Sequence, residues 1–339
     1  MEILTNYQLK SFNTFGVEAR AAYFCHIKSH TDIKELFSSD NWNRPRLIIG
    51  GGSNILFAKD FEGLLIKNDL KGIKVQDEDT NHVLLRTGAG ENWHEFVIYC
   101  IGKDYGGIEN LSLIPGCTGA APIQNIGAYG VELKNTFYSL EVFDLATGDI
   151  NTFHQSDCKF GYRDSIFRSI FKNRYLILSI TLKLTKKYHR YYTDYGEIKE
   201  TLKNNNVKKL TIKAISDAVI RIRTNKIPDP KELGNAGSFF KNPTVDKVDF
   251  EGLRAEFPHI PGYNSEANQV KIPAAWMIEH CGWKGKRRGQ IGVHDKQALV
   301  IVNYGGGKGK DIAQLAFDIR DSVADTFGIE LQQEVNIIS

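Results

Sequence analysis

Three polar side chains occur in sequence settings that suit chemistry. Arg163, in the run Gly-Tyr-Arg-Asp-Ser, is a fixed cation that can bind a carboxylate at two points, and a surface ion pair with Asp164 is the alternative. Ser238 lies between Gly237 and two phenylalanines, so its hydroxyl either faces a partly dry pocket or serves in a turn. Glu334 lies among apolar residues. Burial of an unpaired carboxylate there would be costly, and the alternative is an edge-strand carboxylate that faces water. The local context leaves both interpretations of each residue open.

Two glycine-rich segments could bring bare backbone against a ligand. The first, Gly50-Gly51-Gly52-Ser53-Asn54, could form an anion nest of successive N–H groups or a tight turn between strands. It is not a dinucleotide-binding fingerprint, because Ile55 follows where a third glycine is needed. The second, residues 107–130, is dense in small residues and low in charge, so a planar cofactor could lie against it, with Gln124 and Asn125 binding polar edges. A surface loop is the alternative.

The pattern of apolar residues predicts the helices, loops and strands that must position these side chains. Asn92 can cap a helix, with Glu95 as its capping-box partner, and residues 114–130 predict an ordered loop. Apolar, partly β-branched runs predict strands at 46–49, 63–67, 83–86, 142–143, 175–180 and 181–184.

The last third of the chain carries two predicted helices and a terminal strand. Residues 215–222 predict a helix that ends near Thr224, ahead of two prolines, and this places a domain boundary there. Asp311 can cap a second helix with Gln314 at its third position, and Gly328 can end it. The buried stripe of that helix is predicted to be Ile312, Leu315, Ala316, Ile319, Val323 and Phe327, and residues 331–338 predict a short strand.

Composition excludes several classes of protein. The 43 basic residues against 40 acidic ones argue against a nucleic-acid-binding surface. The five cysteines are widely spaced, without a CxxC or HExxH motif, so neither a zinc site nor a redox dithiol is predicted. The N-terminus does not read as a signal peptide, and the sequence lacks an apolar run of the ~18–20 residues that a membrane helix needs. A cytoplasmic protein with no metal, no membrane contact and no nucleic-acid partner is expected.

Six sequence blocks together resemble the UDP-N-acetylenolpyruvoylglucosamine reductase family. They occur in the family's order and at similar spacing, so the resemblance covers nearly the whole chain. Residues 192–198 and the insertion around Tyr263 are similar to the longer subtype, which carries a tyrosine loop over the substrate. The six blocks are residues 50–54, 107–130, 161–165, 223–228 and 237–243, and Glu334.

The resemblance implies an α+β fold. Residues 1–70 and 71–225 would form two subdomains of an FAD-binding fold of the vanillyl-alcohol-oxidase type. Residues 226–328 would form a smaller α+β substrate-binding domain, and 329–339 a strand that returns to the active site. A monomer is expected.

The resemblance also implies a reaction, the NADPH-dependent and FAD-mediated reduction of an enolpyruvyl ether of a UDP-sugar in peptidoglycan precursor synthesis. Hydride addition at C3 of the enolpyruvyl group moves charge into its carboxylate, and that charge must be stabilised as it develops. Arg163 and Glu334 match the stabilising residues, and Ser238 matches the donor of the proton to C2.

The remaining site residues follow from the same resemblance. FAD, held without a covalent bond, would contact Gly50, Gly51, Gly52, Ser53, Asn54, Ile114, Pro115, Gly116, Gly119, Ala120, Gln124, Asn125, Gly127, Tyr129, Tyr162 and Arg223. The sugar nucleotide, which would share its pocket with NADPH, would contact Tyr195, Lys226, Asn242, Tyr263, Lys284 and Gln297. Lys226 and Lys284 could hold phosphates, although a solvated surface lysine is the commoner case.

Two alternatives remain. One is a related FAD-dependent oxidoreductase acting on another substrate, which would not need a proton donor such as Ser238. The other is a non-catalytic flavin- or nucleotide-binding protein, which would be expected to have lost Arg163, Ser238 or Glu334; all three are present.

Overall fold

The structure is a computed structural model that describes residues 1–265 and 268–339. It divides into two compact units, and the chain passes between them more than once. Unit 1 comprises Met1–Tyr7, Ala21–Gly51 and Glu62–Asn225, and unit 2 comprises Gln8–Arg20, Gly52–Phe61 and Lys226–Ser339. Both units mix helices with β-sheets.

The strands and helices are as follows in chain order. The strands are β1 Leu4–Gln8, β2 Arg20–Ile27, β3 Arg46–Ile49, β4 Ile55–Phe57, β5 Phe61–Asn68, β6 Ile73–Glu78, β7 His82–Gly88, β8 Gly127–Ala128, β9 Val131–Glu132, β10 Phe137–Asp144, β11 Ile150–His154, β12 Tyr175–Thr185, β13 Gly234–Ser238, β14 Thr244–Asp246, β15 Tyr263–Asn264, β16 Gln269–Lys271, β17 Arg287–Arg288, β18 Ile291–Val293, β19 Val300–Asn303 and β20 Asn336–Ile338. The helices are α1 His30–Phe37, α2 Trp93–Gly102, α3 Ile198–Asn204, α4 Ile212–Lys226, α5 Lys247–Glu256, α6 Ala274–His280 and α7 Gly309–Phe327.

Unit 1 is built on two sheets. The first has the strand order β1-β2-β5-β3, in which β3 and β5 are parallel and Ile48 lies opposite Ile66. The second has the order β11-β10-β12-β7-β6 and is antiparallel at each pairing given, with Leu182 opposite Leu85. α2 covers this second sheet with Trp93 and Phe96, which are almost fully buried. The helix begins as expected, because the Asn92 side chain accepts a hydrogen bond from the Glu95 N–H at 3.0 Å.

Unit 2 contains a four-stranded sheet of order β13-β19-β18-β17 and a parallel pair of β4 and β20. α7 packs its predicted apolar stripe inward, and Gly328 ends it in the left-handed conformation, with φ 66°. A smaller sheet, β14-β16-β15, completes the unit.

Several predicted element boundaries are wrong. α7 begins at Gly309, two residues before the predicted cap Asp311, and it has no side-chain cap. Gly309 lies so close to the Phe57 carbonyl that a Cβ would overlap it, and this close approach fixes the first turn of the helix. α4 is longer than expected at both ends, and its first turn is stabilised by the Thr211 hydroxyl, which accepts from the Ala214 N–H at 3.1 Å. The terminal strand covers only Asn336–Ile338, since residues just before it pair with the segment that follows β13.

The strands predicted separately at 175–180 and 181–184 are one strand, β12. Cys25, Cys100, Cys117, Cys158 and Cys281 are free thiols. Over residues 1–265 and 268–339, no helix is both long enough and apolar enough to cross a membrane.

Candidate active site

Glycines of the two predicted cofactor segments lie against each other within unit 1. Gly50 and Gly51 directly follow β3. A Cβ on Gly51 would lie 3.0 Å from Gly116 Cα, and a Cβ on Gly50 would lie 3.1 Å from Cys117 Cβ. A side chain at either position would push the segments apart, so glycine is needed for this approach. The two segments therefore meet backbone to backbone at Gly51 and Gly116.

The second segment is anchored to the end of β7. The Thr118 hydroxyl donates to the Gly88 carbonyl at 2.6 Å, and the Gly119 N–H donates to the Ala89 carbonyl at 2.9 Å. A Cβ on Gly119 would lie 2.5 Å from Ala89 Cβ, which explains why this position of the segment is a glycine. Neighbouring predicted cofactor residues differ in exposure: Ile114 and Ala120 are half-buried, and Pro115 is exposed. The anchoring makes this loop a rigid surface.

Arg163 lies in a tight turn with an unusual backbone. Gly161 and Asp164 close the turn, with the Gly161 N–H donating to the Asp164 carbonyl at 3.0 Å. Arg163 adopts φ 52°, a left-handed conformation that is rare for a side chain of this size. Its Nη2 donates to the Gly127 carbonyl at 2.6 Å, and its Cζ lies 5.5 Å from the Tyr162 ring centre. The guanidinium is thus held against the second cofactor segment.

Asn125 ties that segment to the Arg163 turn. The side chain is fully buried and its Nδ2 donates to the Gly161 carbonyl at 3.0 Å and to Glu132 Oε2 at 3.1 Å. Its Oδ1 accepts from the Lys134 N–H at 3.0 Å. These contacts occupy both ends of the amide with protein groups, whereas the sequence predicted that this amide reads a cofactor edge.

Arg223 adds a second guanidinium to the same part of unit 1. Its Nε donates to the Leu113 carbonyl at 3.3 Å. Burial lowers the pKa of Arg223, and the positive charge of Arg163 lowers it further, while Tyr129 opposes the shift. Burial in turn raises the pKa of the Tyr129 phenol. Two neighbouring positive charges of this kind form a site that favours an anion.

A cavity of about 260 Å³ lies beside Tyr129 in unit 1. The Tyr129 and Tyr195 rings meet edge to face, with their centres 6.5 Å apart. A Cβ on Gly130 would lie 3.3 Å from Tyr195 Cβ, so the absence of a side chain there lets Tyr195 approach. The cavity is lined by Tyr129, Gly130, Tyr192, Asp194 and Tyr195.

Ser238 ends β13 in unit 2, directly after an irregular stretch of the strand. Its partner across the sheet is Val300 of β19, and the register shifts between Asn235 and Ser238. Gly237 has φ 70°, which a residue with a side chain would rarely adopt. The buried Asn235 side chain holds the irregular strand: Oδ1 accepts from the Gly237 N–H at 2.9 Å, and Nδ2 donates to the Leu233 carbonyl at 2.8 Å. Ser238 is therefore positioned by its backbone.

Glu334 lies on the segment that pairs with the chain just after Ser238. The Glu334 N–H donates to the Phe239 carbonyl at 2.8 Å. Asn54 Nδ2 donates to the Glu334 carbonyl at 3.2 Å, and the Asn336 N–H donates to the Asn54 carbonyl at 3.0 Å. Unit 2 thus brings together three of the sequence blocks: the end of the first glycine segment, the Ser238 block and Glu334. Gly52 is needed here as well, because it has φ 64° and a Cβ on it would overlap the Phe12 carbonyl.

Comparison with known proteins finds a family match in each half of the chain. Residues 21–154 match the family described as FAD binding domain, and residues 229–338 match the C-terminal domain of UDP-N-acetylenolpyruvoylglucosamine reductase. A curated UDP-N-acetylenolpyruvoylglucosamine reductase of Amoebophilus asiaticus is 52% identical over 339 residues, with 100% of each chain covered. The chain belongs to the UDP-N-acetylenolpyruvoylglucosamine reductase family. The reductase of Flavobacterium johnsoniae is 47% identical over 338 residues, again with 100% of each covered.

A solved structure supports the fold. The UDP-N-acetylenolpyruvylglucosamine reductase of Thermus caldophilus matches with a TM-score of 0.68 and 20% identity, covering 100% of this chain and 98% of that chain. The predicted α+β fold class is confirmed: the chain mixes helices with sheets, an FAD-binding domain matches residues 21–154, and a further α+β region follows.

The predicted substrate-binding residues lie in varied settings in this reductase. Asn242 Oδ1 accepts from the Ala274 N–H at 3.0 Å at the start of α6, and Gln297 Oε1 accepts from the Leu299 N–H at 3.3 Å. Lys284 forms an ion pair with Glu279 at 2.9 Å. Tyr195 and Tyr263 are exposed, and Lys226, half-buried, ends α4. The Lys284 ion pair is the surface arrangement that the sequence left open, and it does not exclude a phosphate contact.

Sequence reasoning missed two buried asparagines of the reductase, Asn110 and Asn235. Each uses its side chain to hold irregular backbone next to predicted site residues. Both stand beside motif residues, in Glu-Asn-Leu and Gly-Asn-Ala-Gly-Ser. For Asn235, its place beside a glycine in an apolar segment could have indicated a buried backbone-binding amide, because such an amide is tolerated inside only when its hydrogen bonds are made. No comparable signal marks Asn110.

Proposed function

We propose that the chain reduces UDP-N-acetylglucosamine enolpyruvate to UDP-N-acetylmuramate in the cytoplasm, as a step of peptidoglycan precursor synthesis. FAD is the cofactor and NADPH the reductant. The observation that carries the proposal is the pairing of the Ser238 strand end with the Glu334 segment, inside the region that matches the reductase C-terminal domain. A proton donor and a carboxylate on adjacent segments suit the reduction of a polarised C=C bond.

The residues of unit 1 fit FAD. Gly50 and Gly51 approach Cys117 and Gly116 so closely that neither can carry a side chain, and backbone N–H groups of such a segment can hold phosphate oxygens. Arg223 adds a half-buried positive charge. When bound and reduced by NADPH, FAD supplies the hydride that adds to C3 of the enolpyruvyl group. The FAD contacts predicted above are proposed to hold it, except that Asn125 acts through the Arg163 turn.

Arg163 binds the substrate's carboxylate in this proposal. Its guanidinium is held by Gly127 and by a turn of fixed shape, so it needs little reorganisation when charge moves into the carboxylate. Glu334 orients the same group or donates a hydrogen bond to it. These contacts strengthen as the carboxylate gains electron density, and they therefore stabilise the transition state more than the ground state.

Ser238 gives its proton to C2 of the substrate. Addition of hydride at C3 and of this proton at C2 converts the C=C bond into a single bond, and the serine regains a proton from solvent. Gly237 and Asn235 fix the backbone that carries the hydroxyl. The UDP portion is held by the six substrate-binding residues predicted from the sequence.

Separation of the two half-reactions tests the proposal. Ser238→Ala should leave flavin reduction by NADPH within about tenfold of normal, because that step needs no proton at C2. Flavin reoxidation by the enolpyruvyl substrate should slow by about 10²-fold or more. Stopped-flow absorbance of the flavin follows each step separately.

Ser238→Cys provides the control, since a thiol of similar size can also donate a proton and should retain part of the activity. Equal slowing of both half-reactions in Ser238→Ala would mean that Ser238 shapes the pocket. Wild-type protein that does not oxidise NADPH when the enolpyruvyl sugar nucleotide is present would refute the proposed function.

A further inference from the structure

Asn110 joins two walls of the tyrosine-lined cavity through a single nitrogen atom. Its Nδ2 donates to the Tyr129 carbonyl at 2.9 Å and to the Tyr192 carbonyl at 2.9 Å. Tyr129 and Tyr192 both line the cavity, and Tyr195 follows three residues after Tyr192. The contacted residues are 19 and 82 positions away in sequence, so this side chain fastens distant segments to each other.

Among uncharged side chains, only an amide can make this pair of contacts. Both partners are carbonyl oxygens, so the side chain between them must supply two N–H donors from one atom, as asparagine and glutamine do. An ionised aspartate supplies none, and a serine supplies one. Asn110 is 1% exposed, and its Oδ1 is buried without a hydrogen-bond partner within the described chain. A buried amide that leaves its own oxygen unsatisfied has a cost, which its two donated bonds must offset.

The segment that carries Asn110 is itself held on both sides. The Trp93 indole of α2 donates to the Leu111 carbonyl at 2.9 Å. The Ser112 hydroxyl is within 2.8 Å of the Ser216 hydroxyl of α4. The Leu113 N–H donates to His94 Nδ1 at 3.0 Å. Because this segment is fixed to two helices, Asn110 is itself held in place where it contacts the tyrosine segments.

We infer that Asn110 is a positioning residue that holds the aromatic wall of this cavity in the conformation that binds the nucleotide portion of the substrate. The inference rests on the proposed function for the identity of the ligand, and on the geometry alone for the positioning role. Its effect reaches the substrate through the Tyr129 and Tyr192 backbones, so it should change substrate affinity more than turnover. Loss of two neutral hydrogen bonds changes a local equilibrium by about ten- to a hundredfold.

Asn110→Asp is the sharpest test, because it preserves shape and removes both donors at neutral pH. The FAD-loaded variant should show amide hydrogen exchange in residues 190–197 that is about tenfold faster than in the wild type. The Michaelis constant for the enolpyruvyl sugar nucleotide should rise by about tenfold or more, with kcat within about threefold. The constant should partly recover at acid pH, since a protonated carboxyl regains one donor. Asn110→Ser, with one donor, should give an intermediate exchange rate and serves if the aspartate variant does not fold.

Asn68→Ala is the matched control. Asn68 is also a buried asparagine of unit 1, and its Nδ2 donates to the Ile177 carbonyl at 2.8 Å, away from the cavity lining. It should lose stability without faster exchange in residues 190–197 and without a higher Michaelis constant. Unchanged exchange in both Asn110 variants would overturn the positioning role. Faster exchange with an unchanged Michaelis constant would overturn the link to substrate binding. Because exchange needs no substrate, it still decides the positioning role if the proposed reaction fails.

Discussion

Replacement of Asn125 by glycine tests whether this amide serves the cofactor or the Arg163 turn. Glycine is chosen because Asn125 has φ 44°, which alanine would adopt only with strain. The substitution removes two hydrogen bonds to backbone groups and one to the Glu132 carboxylate. A neutral bond contributes about 1 kcal/mol and a bond to a charged group about 1.5–3 kcal/mol, so the free energy of unfolding should fall by about 4 kcal/mol. A domain stable by about 5–15 kcal/mol can absorb that loss.

The Gly161 carbonyl would lose its tether to Asn125, and the turn that holds Arg163 at φ 52° would relax. We therefore expect kcat to fall by at least about tenfold, as is usual when a group that stabilises developing charge is displaced. Urea unfolding gives the stability, flavin absorbance the FAD content, and steady-state NADPH oxidation the turnover. All three are measured on protein reconstituted with excess FAD.

Asn303→Ala is the control for lost stability. Asn303 is buried in unit 2, where its Nδ2 donates to the Phe15 carbonyl at 2.9 Å and its Oδ1 accepts from two glycine N–H groups. It should lose comparable stability and keep normal turnover per folded molecule. If Asn125→Gly also keeps normal turnover, the coupling to Arg163 is refuted. If it loses FAD but recovers full turnover when FAD is saturating, Asn125 is a cofactor contact, as its sequence alone predicted.

Three further predictions follow from single groups. Arg163→Lys keeps the charge and removes the planar fork, so turnover should fall sharply while FAD remains bound, and near-normal turnover would return Arg163 to a structural role. Lys226→Ala and Lys284→Ala should each raise the Michaelis constant for the sugar nucleotide. The control Glu279→Ala, which removes the ion-pair partner of Lys284, should not raise it. Unchanged Michaelis constants in both lysine variants would contradict phosphate binding. Burial raises the pKa of Glu109, so the carboxyl group holds its proton more tightly in the folded state than in the unfolded state. The free energy of unfolding should therefore fall as the pH rises from the ordinary carboxyl pKa through the raised one. Glu109→Gln should flatten that dependence in urea titrations at several pH values, and an identical slope would refute it.

Local signals in the sequence predicted much of the secondary structure. The Asn92 cap, the α7 stripe and the Gly328 stop depend on residues within one or two helical turns of each other, so they can be read directly. The start of α7 could not, because it depends on Gly309 approaching the carbonyl of Phe57, far away in sequence. The predicted strands exist, but apart from β3, whose two ends match, their ends were not predicted, since pairing partners decide where a strand stops.

The sequence also left the roles of the amides undetermined. An asparagine in a glycine-rich loop can equally contact a cofactor, cap a turn or bind distant backbone. Asn125 meets Gly161, 36 residues away, and Asn110 meets Tyr192, 82 residues away. Contacts over such distances follow neither the helix period nor the strand period, so a sequence pattern does not reveal them. The resemblance to a family identified the segments that form the site. It did not distinguish residues that contact a ligand from residues that hold the ligand-contacting residues in position.

The buried asparagines suggest a physical reason for that ambiguity. The proposed ligand-contacting residues lie on irregular backbone: Arg163 and Tyr129 have left-handed φ values, and Ser238 follows Gly237 at φ 70°. Such backbone leaves N–H and C=O groups without the regular partners of a helix or sheet, and these groups must be satisfied when buried. Asn125, Asn110 and Asn235 each supply those partners with a side chain whose donors and acceptor imitate a peptide group. Replacement of such an amide should therefore loosen a site residue although the amide itself does not contact the ligand. For this reason its role is revealed by substrate affinity or turnover, and not by stability alone.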